Sequence, residues 1–292
     1  MRGRFRNVVT DLAKQDGRVV VILGDVSVYQ FIKFKEEFPS RFYNMGICEN
    51  TLISASAGLA ATGFHPFVHT IAPFLTDRSV EQIKLDLCYN KFGANIVTCG
   101  ASFDYAWDGA THHTYIDIAT LRLLPGMEVL QPGSEDEMEA LMRSQYANGK
   151  PTYFRLSDHP HTIKTNTEFG KGTVLKDVGA PVTVMTAGPL LANVLEGCAD
   201  LPVNLVSFHT IKPIDREIVE RFRQTRILVV HDAFGLREAI NEIPGLWTAY
   251  HGLPDIFCGW YGTVHDARRE LGLDSAGVRQ AVTRILEQPA SS

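Results

Sequence analysis

The sequence has few cysteines and no long apolar run. Its five cysteines are odd in number, scattered over 292 residues and free of any CxxC pair, so no disulfide framework is predicted. The longest apolar runs, such as Val19–Leu23, have the length of a strand and are far too short to cross a membrane. No apolar segment follows the basic residues after Met1, so we expect no secretory signal and a cytoplasmic location.

The chain also lacks a strong excess of one charge. Its net charge is -5, with both signs mixed along the sequence and no basic stripe or basic amphipathic helix. We therefore expect neither a nucleic-acid partner nor attachment to a membrane surface. With 45% hydrophobic and 21% charged residues, the composition is that of a globular protein, and the length suits about two domains of roughly 150 residues each.

Short β-rich runs alternate with helical stretches throughout the chain. This alternation predicts an α/β protein in which mostly parallel sheets carry helices on both faces. A segment rich in Thr, Asn and Gly, where this alternation is less regular, separates two such regions. We predict a first domain over residues 1–161, a linker over 162–178 and a second domain over 179–292.

The stretch from Arg41 to Ala60 predicts a strand that ends near Gly46 and a helix, rich in Ala, Ser and Gly, that begins near Asn50. Glu49 therefore lies at the carboxyl end of a strand, where open α/β sheets place their ligand-binding groups. An acidic residue is also favoured in the first turn of any helix by the helix dipole. From spacing alone the second interpretation is favoured.

Two further stretches contain candidate functional residues. Phe74 follows a predicted core strand, where it is equally explained as a packing residue. Asp108, His112 and His113 lie on a loop and invite comparison with a zinc site. Adjacent histidines on a loop seldom bind one metal ion, and no third ligand with suitable spacing follows, so we predict no metal site in this chain.

Together these stretches resemble the pyrimidine-binding and C-terminal regions of the transketolase family, over nearly the whole chain. The four matches, which occur in the family's order, are RFYNMGICENTLISASAGLA from Arg41, TIAPFLTDR from Thr70, WDGATH ending at His112, and VNLVSFHTIKPID ending at Asp215. The resemblance implies a two-domain fold made of a thiamine-diphosphate pyrimidine-binding domain followed by a transketolase C-terminal domain.

The resemblance also implies a cofactor and roles for individual residues. Glu49 is expected to hydrogen-bond the aminopyrimidine ring of thiamine diphosphate, and Phe74 to stack on that ring. Ile71 and Arg78 are expected to contact the cofactor as well. Asp108 and His112 are expected to face the hydroxyl groups of a ketose-like substrate, with His112 serving in proton transfer.

The family's GDG motif, with its downstream Asn for the diphosphate and the metal, has no counterpart in these 292 residues. Gly24-Asp25 is followed by Val-Ser rather than Gly. We therefore expect a separate N-terminal subunit to hold the diphosphate and Mg²⁺. The expected assembly is a heterotetramer with two copies of each chain.

The positions that bind a sugar phosphate in transketolases are altered in this sequence. Gly100 replaces a histidine of the family, and Asp158 falls where the family has an arginine. A carboxylate repels a phosphate, so the expected substrate is less charged at this end of the site, unless Arg155, Arg122 or His159 substitutes as the phosphate ligand.

The resemblance implies an enzyme that transfers a two-carbon ketol unit from a ketose-like donor to an aldehyde acceptor. One alternative is a 2-oxo-acid-using enzyme, such as a 1-deoxyxylulose-5-phosphate synthase or the beta subunit of an oxo-acid dehydrogenase. Another is a regulatory subunit without catalysis. Retention of Glu49, Phe74 and His112 favours catalysis, and the WDGATHH loop favours the transketolase and synthase branches over the dehydrogenase.

Overall fold

The computed structural model describes residues 1–288, and residues 289–292 of the predicted second domain lie outside the described part. The described residues form two mostly parallel sheets flanked by helices, so the predicted fold class is confirmed. The first sheet has the strand order β10-β5-β6-β4-β3-β1-β2 and the second has the order β12-β11-β8-β9-β7. The strands are β1 (Val19–Leu23), β2 (Phe42–Asn44), β3 (His65–Ile71), β4 (Asn95–Cys99), β5 (Glu128–Leu130), β6 (Thr152–Arg155), β7 (Gly172–Lys176), β8 (Val182–Ala187), β9 (Asn204–Phe208), β10 (Thr210–Lys212), β11 (Arg226–His231) and β12 (Thr248–Gly252).

Within residues 1–288, twelve α-helices connect and cover these strands. They are α1 (Arg2–Gln15), α2 (Ile32–Glu37), α3 (Glu49–Ala61), α4 (Ala72–Thr76), α5 (Val80–Gln82), α6 (Asp117–Arg122), α7 (Glu135–Gln145), α8 (Leu191–Gly197), α9 (Arg216–Arg221), α10 (Leu236–Ile240), α11 (Val264–Glu270) and α12 (Ser275–Glu287). A π-helical segment, Ile83–Tyr89, directly continues α5. No helix in this part of the chain is long and apolar enough to span a bilayer.

Both faces of the first sheet are buried, as β1 illustrates. Val20 and Ile22 pack into a cluster with Leu52 of α3, whereas Val19 and Val21 pack into a second cluster on the other face. Successive side chains of a strand point to opposite faces, so an uninterrupted apolar run such as β1 requires cover on both sides. Helices α1, α2 and α7 contribute to the second cluster.

The two sheets are joined through a shared core and one strand. The cluster that contains Val20 and Ile22 also contains Met185 and Val229 of the second sheet. Strand β10 follows β9 in the chain but pairs antiparallel with β5 of the first sheet. Strand β7 lies inside the predicted linker and pairs antiparallel with β9. The domain boundaries themselves stay a prediction.

Candidate active site

The candidate site lies at one edge of the first sheet. Strand β1 pairs in parallel with β2 and β3, and β3 pairs in parallel with β4, so their carboxyl ends meet at this edge. Gly46 turns the chain after β2 with a φ of 77°, in the left-handed region that favours glycine, and α3 then begins at Glu49. Glu49 is 4% exposed, and its Oε1 lies 3.2 Å from Nη1 of Arg78.

Arg78 links Glu49 to Phe74. Its guanidinium carbon lies over the Phe74 ring, 4.2 Å from the centroid, while about half of the Arg78 side chain is open to solvent. Phe74 belongs to α4, which starts where β3 ends at Ile71, and both Phe74 and Ile71 are half-buried. The guanidinium is thus a planar group that donates N–H to a carboxylate and lies on an aromatic face.

His112 approaches Phe74 from the loop that follows β4. The two ring centroids are 5.0 Å apart in an edge-to-face arrangement, and His112 Nδ1 lies 2.9 Å from the hydroxyl of Thr111. Asp108 is exposed on the same loop, in a short 3-10 turn. The structure therefore brings Glu49, Phe74, Arg78 and His112 into one connected group, with Asp108 on the adjoining turn.

A second group forms where the altered phosphate positions were predicted. Gly100 has a φ of 79°, and a β-carbon there would lie 2.4 Å from the Tyr105 ring, so the aromatic ring fills the space of a side chain. The Tyr105 hydroxyl donates to Asp158, 3.1 Å away, and Arg2 Nε donates to the other carboxylate oxygen at 3.0 Å. Asp158 is therefore neutralised by a cation from α1 that the sequence analysis did not identify.

Arg155 lies outside this group, and its expected role in substrate binding does not fit its position. Its side chain is completely buried between the two sheets. Its Nε donates to Asp117 Oδ2 at 2.7 Å, and Nη2 donates to the carbonyl of Thr114 at 2.6 Å. A phosphate cannot reach this guanidinium without separating the packed elements, so Arg155 is left out of the candidate site.

Two buried polar residues near the site were also missed by sequence reasoning. His69, in the middle of a buried strand, lies 2.8 Å from the Val97 carbonyl through Nδ1 and 3.0 Å from Ser27 Oγ through Nε2. Burial lowers the pKa of His69 to about 4, so the ring is neutral and holds the Ser27 turn in place. A histidine inside a mostly apolar strand carries no local signal that would have identified it.

Asp104 is the other buried group. Its carboxylate accepts from the Asp158 backbone N–H at 2.7 Å and from Ser157 Oγ at 2.9 Å. Burial raises the pKa of Asp104 to about 7, and the nearby charge of Asp158 acts in the same direction. Asp104 thus anchors the segment that carries Asp158.

The group around Glu49 fits the aminopyrimidine half of thiamine diphosphate. The planar guanidinium of Arg78 donates an N–H to Glu49 and stacks its own face on the Phe74 ring. An aminopyrimidine is also planar and offers the same kinds of contact. No group of three or more His, Cys, Asp or Glu side chains that could hold a metal ion occurs among residues 1–288.

Residues 1–159 match the family of transketolase pyrimidine-binding domains. The chain belongs to the transketolase family. It is 30% identical, over 98% of its length, to a subunit of the apulose-4-phosphate transketolase of Phocaeicola vulgatus, and it covers 97% of that subunit. A solved structure of a split-gene transketolase, described as an inactive beta4 tetramer, matches with a TM-score of 0.86 at 29% identity, over 98% of this chain and 97% of that one.

A longer relative matches as well. The chain is 30% identical to the 1-deoxy-D-xylulose-5-phosphate synthase of Thermus thermophilus over 96% of its own residues and 48% of that synthase. The chain thus spans about half the length of this relative.

Proposed function

We propose that this chain is one subunit of a split, thiamine-diphosphate-dependent enzyme that transfers a two-carbon ketol unit from a ketose-like donor to an aldehyde acceptor. The observation that carries the proposal is the nearly buried Glu49 carboxylate, which Arg78 connects to the face of Phe74, with His112 in edge-to-face contact with the same ring. The match over almost the full length of a transketolase subunit supports it.

The residues of this chain bind and orient the pyrimidine half of the cofactor. Thiamine diphosphate, when bound, supplies the nucleophile and the electron sink of the transfer. Glu49 holds a proton at the ring nitrogen of the aminopyrimidine, and Phe74 fixes the plane of the ring. Arg78 is half-exposed, so its guanidinium can move toward solvent when the pyrimidine takes its place. Ile71, at the end of β3, borders the same position.

The substrate faces the loop after β4 in this proposal. His112 is half-buried, and its imidazole nitrogens suit transfer of a proton to or from a substrate hydroxyl. Asp108 is exposed and able to accept a hydrogen bond from a second hydroxyl. Gly100, Tyr105 and Asp158 form the outer end of the site.

A partner subunit completes the site. It carries the GDG motif and the downstream Asn, and it holds the diphosphate and Mg²⁺. The expected assembly contains two copies of each chain. The relatives that are named as subunits, or described as products of a split gene, support this division.

A second candidate function uses a 2-oxo acid as the donor. The match to a 1-deoxy-D-xylulose-5-phosphate synthase favours it, although the chain covers 48% of that protein. Pyruvate and a ketose, each offered as donor to the reconstituted enzyme with the same aldehyde, distinguish the two functions. Turnover of the ketose alone supports two-carbon ketol transfer, and turnover of pyruvate supports the second candidate.

The substitution Glu49→Gln tests the proposed function. The amide keeps the volume of the side chain but cannot stabilise the protonated ring, so turnover of the reconstituted enzyme is expected to fall by about a hundredfold or more. Circular dichroism is expected to show unchanged folding. Glu81→Gln, at an exposed position of α5, is the matched control and is expected to retain activity. Near-native turnover of Glu49→Gln would contradict the role of Glu49.

A further inference from the structure

A cavity of about 400 Å³ opens between the loop after β4 and a segment that precedes α11. We call it the interdomain cavity, and its walls include Asp77, His113, Tyr115, Phe234, Asp255 and Phe257. Neither Glu49, Phe74 nor His112 lines it. The proposed function therefore leaves this cavity without a role, although its volume falls within the range of small-molecule sites.

The charge of the cavity is negative. Asp77 and Asp255 contribute carboxylates, and no lysine or arginine is among the described residues that line it. Asp77 Oδ1 accepts from the Thr76 hydroxyl at 3.0 Å. Loss of solvent around Asp77 raises its pKa to about 6, and the Asp117 carboxylate adds to this effect. Both carboxylates are exposed to solvent, and at neutral pH the cavity carries negative charge, which favours a cationic ligand.

Aromatic rings from both regions of the chain form the other walls. Tyr115 and Phe234 meet edge to face, with their ring centroids 6.4 Å apart. Phe257 is 86% exposed, so its ring lies open to solvent at this cavity. Aromatic faces attract organic cations through the ring quadrupole and also bury the apolar part of such ligands.

His113 supplies an independent sign that the cavity receives a ligand. The residue is 5% exposed, and neither ring nitrogen makes a hydrogen bond of normal geometry within residues 1–288, although the Ala106 backbone lies close to the ring. Burial lowers the pKa of His113, so at neutral pH its imidazole has one donor and one acceptor nitrogen. Buried polar groups normally have partners, and a polar group of a ligand would provide one.

We propose that the interdomain cavity binds a small organic ammonium ion with an apolar body. The ammonium group lies between Asp77 and Asp255, the apolar body contacts Tyr115, Phe234 and Phe257, and His113 hydrogen-bonds a polar atom of the ligand. The cavity is lined by none of the residues proposed to bind the cofactor, although Asp77 and His113 are chain neighbours of Arg78 and His112.

Calorimetric titration of the whole chain with three matched probes tests the proposal. Benzylamine carries the cation, benzyl alcohol is neutral, and benzoate carries the opposite charge on the same ring. At pH 7.5 benzylamine is expected to bind about tenfold more tightly than benzyl alcohol, and benzoate is expected to bind most weakly. At pH 5 the preference for benzylamine is expected to shrink, because the Asp77 carboxyl becomes protonated.

Variants locate the binding in this cavity. Asp77→Asn and, separately, Asp255→Asn are expected to lower the affinity for benzylamine severalfold while benzyl alcohol binds as before. Asp255 is exposed, so its variant keeps the test valid even if Asp77→Asn impairs folding. Phe257→Ala is expected to weaken both probes, and Asp86→Asn, a carboxylate outside the cavity, is the control.

The proposal is overturned by equal affinities for benzylamine and benzyl alcohol, or by no binding of any probe at millimolar concentration. It is equally overturned if the preference for the cation persists unchanged in both aspartate variants. None of these results depends on turnover, so they are distinguishable from a failure of the proposed enzymatic function.

Discussion

Asp158 shows how neighbouring residues change the electrostatic effect of a charged side chain. In the sequence it is a carboxylate where the family has an arginine, which suggests repulsion of a phosphate. In the structure Arg2 and Tyr105 both donate to it, and its charge is balanced by a half-buried guanidinium. The outer end of the candidate site is therefore close to neutral rather than negative.

This pairing predicts the effect of Asp158→Asn on substrate choice. Without the carboxylate, Arg2 becomes a free cation at the outer end of the site. The kcat/KM for ribose 5-phosphate is therefore expected to rise about tenfold relative to that for ribose. Arg2→Gln is the control and is expected to shift the ratio toward ribose. An unchanged ratio in both variants would remove Asp158 and Arg2 from the substrate site.

Asp104 predicts a measurable dependence of stability on pH. Its folded-state pKa of about 7 lies above that of an unfolded aspartate, about 3.9, so the folded state binds more protons between these values. The stability that this group contributes is fully present below about pH 4 and is lost as the pH rises through about 7. At about 1.4 kcal/mol per pKa unit, the change amounts to a few kcal/mol.

Asp104→Asn removes this titration and keeps the size of the side chain. Urea unfolding of both proteins from pH 4 to 8 isolates the effect, because other groups titrate alike in the two. The free energy of unfolding of the variant, minus that of the wild type, is expected to increase with pH and to level off near pH 8. If this difference in unfolding free energy does not change with pH, Asp104 has the same pKa in the folded and the unfolded state.

At the scale of elements, buried strands, the edge strand β2 and helix α3 could be predicted from the sequence, and the two edge strands of the second sheet could not. The continuous apolar run of β1 predicts a strand buried on both faces, as observed. Strands β7 and β12 form edges of the second sheet and are half-buried throughout, so their residues lack a strong pattern. Helix α1 was missed although Phe5, Val8, Val9, Leu12 and Ala13 follow helical spacing.

Part of the candidate site could be predicted in the same way. Glu49, Phe74, Arg78 and His112 are close to one another in space, as the family motifs implied. Their roles remain proposals. The contacts of Arg2 and Arg155 could not be predicted from the sequence. Their partners lie 156 and 38 residues away in the chain, and no local sequence pattern indicates contacts at such separations.

A buried ionic network connects the two sheets. Arg155 at the end of β6 contacts Asp117 of α6, and its Nη1 lies 4.0 Å from Asp232, which follows β11. All three side chains are buried. Such a network is expensive to desolvate, and its partial removal leaves an uncompensated charge in the interior.

Arg155→Met is therefore expected to destabilise the protein by about 3–5 kcal/mol, because Asp117 and Asp232 lose their common cation. Equilibrium unfolding in urea measures the change. Arg279→Met, which breaks an exposed pair with Asp200, is the control and is expected to have little effect. A similarly small effect of Arg155→Met would show that the network does not hold the sheets together.

At the scale of the whole molecule, the surface around α3 has the character of an interface. Its exposed side carries the small residues Thr51, Ser54 and Gly58, which allow close approach of another chain. Ile47 and Tyr89, on segments next to α3, are 74% and 79% exposed. Exposed apolar side chains of this size beside a flat helix face are typical of contact sites between subunits.

Cofactor binding tests the central claim, that this chain supplies the pyrimidine half of a site shared with a partner. Thiamine diphosphate with Mg²⁺ is titrated into this chain alone and into its complex with the product of a neighbouring gene that carries the GDG motif, while light scattering measures the mass. We predict tight binding by the complex alone, a mass of two copies of each chain, and weaker binding in Glu49→Gln. Tight, Mg²⁺-dependent binding by this chain without a partner would contradict the account.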